Sequence, residues 1–203
     1  MSEAVPMQFA PTLPPEEVAR ANFYGLIARL FYAPPDAALL EAIAGAQDEE
    51  AEDGDFGDAW QALARAASQA DPGAVREEYE NAFVGTGKAP VTLYTSAYTI
   101  RFESETPLVE LRAQLSDLGL SRKSGVFEPE DHVAALCDVM RHLVAEQKRD
   151  LHEQKRFFGR WIAPAAEPLC AAIEASEATD FYKFAGRFAK AFFAIEQSAF
   201  EML

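Results

Sequence analysis

Two cysteines and three histidines are all that 203 residues offer of the usual thiol and metal chemistry. Cys137 and Cys170 lie far apart inside apolar helical patterns, which argues against a disulfide framework and fits packed thiols in a reducing compartment, the cytoplasm. His132, His142 and His152 are spaced ten residues apart. On a helix of 3.6 residues per turn each would sit about 280° round from the last, so they cannot share one face. No HExxH, no CxxC and no acidic calcium loop occurs, and neither a metal nor another cofactor is expected.

Long apolar runs are missing too. No segment approaches the roughly 18 uninterrupted apolar residues of a membrane span. Met1 to Pro15 hold neither a basic start followed by an apolar run nor an Arg-Arg pair, so a membrane anchor and an export signal are not expected. Positive charge is scarce: 18 Lys/Arg stand against 33 Asp/Glu, a formal net charge of −15. The imbalance is concentrated in residues 1–110, with 6 basic and 19 acidic side chains. Such a half repels phosphate backbones, which excludes nucleic acid, and attracts basic peptides; surplus charge serving only solubility stays open as the alternative.

Strand-like alternation never persists and no repeat is present, whereas helical periodicity runs through the chain. Val18 to Ala33 carries Phe23, Leu26, Ile27, Leu30 and Phe31 on one stripe behind Pro14-Pro15 and an acidic first turn. Further helices are expected over 36–46, 58–69, 71–85 (Val75, Tyr79, Phe83), 107–118, from Pro129 to about Ile162 as one helix or a kinked pair, and over 165–176. A last one should be capped by Thr179-Asp180, with Phe181, Phe184, Phe188, Phe192 and Ile195 buried. Residues 47–58 and 85–91 are expected as loops, and 93–102 as a short helix or an extended piece. Gly85-Thr86-Gly87-Lys88 is a poor phosphate loop, because Ala82 and Ala89 replace the glycine and hydroxyl residue such a loop needs.

The densest chemistry is Glu128-Pro129-Glu130-Asp131-His132, just ahead of the apolar stripe Val133, Leu136, Cys137, Met140, Leu143, Val144. Proline suits a first helical position and acids suit the positive end of a helix dipole, so helix capping explains part of the motif. Asp131 and His132 exceed that need. Three uses are open: a hydrolase, possible with a metal; a receptor whose carboxylates accept forked hydrogen bonds from guanidinium; or an all-α adaptor for a folded partner.

The Glu-Pro-x-Asp-His pattern resembles the signature of the TorD/DmsD/NarJ group of molybdoenzyme maturation chaperones. So do Arg20-Ala21-Asn22-Phe23-Tyr24-Gly25-Leu26 with the later Pro34-Pro35, and Glu78-Tyr79-Glu80-Asn81-Ala82-Phe83-Val84-Gly85 followed by Pro90 and Leu93-Tyr94-Thr95-Ser96. The closing helices, with Phe157-Phe158-Gly159-Arg160-Trp161, match more loosely. This resemblance implies an all-α domain of about ten helices over residues 16–203 behind a flexible 1–15, with a hinge near 121–132 that would allow two lobes or a domain-swapped dimer as well as a monomer. It implies a non-enzyme whose partners are a twin-arginine signal peptide and the apo catalytic subunit of a molybdoenzyme, held back from export until the cofactor is in place. The implied leader-binding groove takes Tyr24, Phe83, Gly85, Pro90, Tyr94, Ser96, Glu128, Pro129, Asp131 and His132.

Overall fold

A computed structural model describes residues 13–46, 54–85, 89–100, 106–122, 125, 128–145 and 150–203. Among these residues the chain forms ten α-helices and no strand beyond a single bridge. They are α1 (Pro15–Tyr32), α2 (Ala37–Gly45), α3 (Asp55–Gln69), α4 (Pro72–Tyr79), α5 (Ser96–Thr99), α6 (Pro107–Asp117), α7 (Val133–Ala145), α8 (Leu151–Trp161), α9 (Ala163–Ala175) and α10 (Phe181–Glu201). None of the described helices is long and apolar enough to cross a membrane.

Local chemistry sets most helix starts. Pro15 opens α1, where its missing N–H costs nothing. Asp36, Asp71 and Asp150 each accept a backbone N–H three residues on, from Leu39 at 2.8 Å, Ala74 at 2.8 Å and Glu153 at 2.9 Å, and so cap α2, α4 and α8. α10 is different. Thr179 turns inward, donating to the carbonyls of Ile173 (2.6 Å) and Ser176 (3.0 Å), and Asp180 caps nothing with its side chain. The Glu78 carboxylate from α4 takes the N–H groups of Asp180, Phe181 and Tyr182 at 2.8, 3.0 and 2.7 Å. The expected local cap is thus replaced by a residue a hundred positions away.

Other boundaries also depart from the periodicity. α3 begins at Asp55, after Gly54 with φ of 124°, so part of the expected 47–58 loop is helix; residues 47–53 lie outside the described set. α4 passes into one wide π turn, Glu80–Val84, stopped by Gly85 with φ of 59°. Of the 93–102 segment only Ser96–Thr99 is helical. The stretch from Pro129 to Ile162 is two helices: α7 starts at Val133, four residues after Pro129, and Asp150 caps a new start. Pro129 is therefore not a first helical residue.

α1 is the central helix. It packs along α7, with Tyr24, Ile27, Leu30 and Phe31 meeting a core that includes Leu136, Cys137, Met140 and Leu143, all buried. Gly25 permits this approach, because a Cβ there would stand 3.0 Å from Arg141 Cδ. α10 lies against α3, α9 and α1, with Phe23, Phe56, Trp60, Phe188 and Phe192 in mutual ring contact at 5.1–6.4 Å. Cys137 and Cys170 are free and buried. The carbonyls at the end of α1, which lack helical partners, are taken by tyrosine hydroxyls: Tyr79 donates to Phe31 (3.1 Å) and Tyr32 (3.0 Å), and Tyr182 to Leu30 (3.1 Å).

One position on α10 overturns the expected stripe. Ile195 is 46% exposed, and the next residue, Glu196, is 2% exposed. Burying that carboxylate is tolerable because it is fully paired: Arg20 donates Nε at 2.8 Å and Nη2 at 2.7 Å, and the Tyr24 hydroxyl donates at 2.7 Å. Arg20 also reaches Glu17 (2.7 Å) and Gln154 (3.1 Å).

Two stability outcomes follow from these contacts. Glu78→Ala should lower the urea-unfolding free energy by about 1–2 kcal/mol through loss of the α10 cap, with an unchanged slope against urea. Arg20→Met should cost more, about 3 kcal/mol, because it strands the buried Glu196 charge; adding Glu196→Leu should recover much of that loss in the double variant.

Candidate functional site

The motif ahead of α7 is held by a two-rung backbone pairing. Thr95 N–H donates to Asp131 O at 2.9 Å and Val133 N–H to Leu93 O at 2.9 Å, forming an antiparallel bridge between Tyr94 and His132. Thr95 Oγ1 adds a bond to Asp131 O at 3.1 Å. Because side chains alternate across an extended segment, the bridge puts Tyr94 and His132 together, their rings 5.4 Å apart and nearly perpendicular at 84°. His132 N–H closes the preceding turn on Pro129 O at 3.2 Å. Its Nδ1 accepts the Ala134 N–H at 3.2 Å, so the ring itself caps α7 and carries its proton on Nε2.

Each acid of the motif has a different setting. Glu128 is exposed and accepts the Tyr94 hydroxyl; burial first, and this carboxylate second, push Tyr94 up to about 12. Glu130 pairs with Arg112 (2.9 Å) and Arg122 (3.6 Å); burial pushes its carboxyl up, but the two guanidiniums outweigh that and hold it below its ordinary value. Asp131 is 3% exposed. Its Oδ2 accepts the Ser96 hydroxyl, while Oδ1 has no hydrogen-bond partner among the described residues. A buried carboxylate oxygen left unpaired costs free energy.

Asp131 forms part of the wall of a cleft of about 230 Å³, with Thr95, Ser96 and Thr99 on one side and Glu110, Arg160 and Trp161 on the other. Arg160 pairs with Glu110 and lies over the Trp161 ring, 4.8 Å from its centre, and Trp161 Nε1 donates to Gln114 at 2.6 Å. Among the described residues no group of three or more His, Cys, Asp or Glu side chains could hold a metal ion.

The structure thus brings Tyr94, Ser96, Glu128, Pro129, Asp131 and His132 together around the bridge, and of these Ser96 and Asp131 line the cleft. The other expected residues lie apart from the cleft. Phe83 packs among Phe31, Tyr79 and Tyr182 at 4.9–6.2 Å. Gly85 ends the π turn and Pro90 is exposed; residues 86–88 between them lie outside the described set. Tyr24 is fully buried on Glu196 and lines no part of this site. The sequence reasoning missed Thr95, Thr99, Pro107, Glu110, Arg160 and Trp161 as lining residues. The available signal was the Arg160-Trp161 pair, a cation beside a stacking surface at the end of an amphipathic helix.

A family model described as the nitrate reductase delta subunit matches residues 49–171, a span that contains the whole of this site. The chain belongs to that NarJ/TorD-type chaperone family. Members of the family are maturation chaperones that bind molybdoenzyme subunits and are not catalytic, which replaces the hydrolase alternative for Asp131 and His132. Among solved structures, a crystal structure of a candidate redox enzyme maturation protein from Archaeoglobus fulgidus shares the fold. It superposes with a TM-score of 0.55 at 19% identity, over 96% of this chain and 98% of that one. No curated protein matches.

Burial lowers the His132 pKa, and the nearby Glu128 and Asp131 charges only partly offset this. The unfolded chain therefore takes up the proton first as pH falls. Stability from this group should be complete above about pH 6.5, the ordinary histidine value, and should decline as pH drops through and below it. His132→Asn keeps an acceptor for the Ala134 N–H and should flatten that decline; His142 and His152 are common to both proteins, so the difference in unfolding midpoint between pH 7 and 5 isolates His132.

Proposed function

We propose that this chaperone binds the twin-arginine leader of a molybdoenzyme subunit at the Asp131 cleft and holds the apo subunit in the cytoplasm until its cofactor is inserted. The observation that carries the reading is Asp131 Oδ1, buried and unpartnered in the wall of the cleft. A guanidinium presents five N–H donors in a rigid fork, and one of them would satisfy that oxygen. Trp161, whose ring already lies under one guanidinium, lines the same cleft. A net charge of −15 supplies the long-range attraction for a basic peptide, acting on association rate and selectivity more than on final affinity.

Two of the site's polar atoms are engaged within the fold. Asp131 Oδ2 accepts from Ser96 and His132 Nδ1 accepts from the α7 backbone. What remains is recognition by charge and shape.

Titration calorimetry with a twin-arginine leader peptide tests this. Asp131→Asn keeps an oxygen for Ser96 but removes the charge, and should weaken binding about 10- to 100-fold, the equivalent of one charge-assisted hydrogen bond. Glu174→Gln, remote from the cleft, should bind like the parent. Equal affinity of parent and Asp131→Asn would remove Asp131 from the recognition site.

A further inference from the structure

The Asp131 cleft already contains a guanidinium. Among the described residues its charged lining is Asp131, Glu110 and Arg160, two acids and one base. Arg112 and Arg122 are engaged by Glu130 and are not part of that lining. Arg160 and Trp161 are the last two residues of α8, and neighbours on a helix point about 100° apart. The Arg160 guanidinium nevertheless folds back over the Trp161 ring, 4.8 Å from its centre, and pairs there with Glu110 of α6.

We infer that the corner formed by Glu110 and Trp161 is a second guanidinium subsite, which Arg160 fills in the free protein and yields to an arginine of the bound peptide. The inference rests on the leader-binding reading of the cleft and deepens it, since each acid of the lining then receives one guanidinium of the arginine pair. Construction is the first argument. Trp161 is 6% exposed, and its Nε1 donates at 2.6 Å to Gln114, which stands one turn along α6 from Glu110. Both walls of the corner are therefore held between α6 and α8 without help from Arg160. The subsite persists when Arg160 leaves it.

Lability is the second argument. The side chains of the Arg160–Glu110 pair are 56% and 54% exposed, and a pair so open to water contributes little to stability and exchanges readily. The Arg20–Glu196 pair, at 18% and 2%, is by contrast a fixed tie. Chemistry is the third. A guanidinium from outside the chain reproduces both contacts of Arg160, the flat stack on an indole and the fork on a carboxylate, whereas a lysine ammonium has neither the plane nor the fork. While Arg160 occupies the corner, a peptide binds fully only to the fraction of molecules in which it is empty, so its apparent affinity falls in proportion.

In titration calorimetry of the full chain, Arg160→Gln should bind a twin-arginine leader peptide about 5- to 10-fold tighter than the parent. Arg156→Gln, one turn earlier on α8 and 71% exposed, removes the same charge outside the cleft lining and should bind like the parent. Adding Glu110→Gln to Arg160→Gln should cancel the gain, and a peptide with lysines in place of both arginines should show none. The chain has 2 tryptophans, so Trp60→Phe leaves Trp161 as sole reporter. In that background Arg160→Gln should make Trp161 more quenchable by acrylamide, and arginine amide, unlike lysine amide, should restore the protection. Circular dichroism on each variant checks that the helices are intact. Equal affinity of the parent and Arg160→Gln for a leader that binds both overturns the inference and leaves the role of Asp131 standing. An equal gain from Arg156→Gln also overturns it, tracing the effect to net charge. If the leader binds no variant, the amide result decides alone: protection of Trp161 by arginine amide keeps the subsite and discards the leader reading, and no protection overturns both.

Discussion

The short antiparallel contact of Leu93–Thr95 with Asp131–Val133 is the constraint on which the site rests. It fixes where α7 begins, because Val133 is both a rung of the pairing and the first helical residue. α7 is in turn the principal neighbour of α1, so the register of this contact is transmitted to the packing of the core. A slip of one residue would exchange Asp131 and His132 across the bridge, sending the carboxylate away from Ser96 and the imidazole away from Ala134. An otherwise helical protein thus positions its most reactive side chains with a fragment of sheet, a geometry that keeps adjacent residues on opposite sides.

Among the described residues two carboxylates, Glu196 and Asp131, lie buried, and they are paired to different extents. Glu196 has both oxygens paired, to Arg20 and Tyr24, and ties α1 to α10. Asp131 lines a cleft and has one oxygen paired and the other buried without a hydrogen-bond partner among the described residues. Removing charge from water is costly in either case, and full pairing offsets that cost for Glu196 more completely than for Asp131.

Much of the helical plan was legible because it is written locally. The stripe Val133, Leu136, Cys137, Met140, Leu143, Val144 is buried throughout, and Asp36 and Asp71 cap the helices that follow them. What escaped is set by distant partners. Glu78 capping α10 from α4, and Arg20 drawing Glu196 inward in place of Ile195, have no short-range signature. Pro129 looked like a helix start because propensity favours it there, but the pairing with 93–95 holds the next three residues extended or turned. In the candidate site, the motif residues and Tyr94 and Ser96 were readable; Glu110, Arg160 and Trp161 come from α6 and α8 and meet the motif only through tertiary packing. Tyr24, read as groove lining, belongs instead to the core.

α1 is joined to α10 twice, at Arg20 near its start through Glu196 and at Leu30 near its end through Tyr182. A rod pinned at two points to the same neighbour can neither pivot nor slide along it. The α1–α10 pair is thus a fixed reference within the fold, held at both ends of α1 by polar contacts.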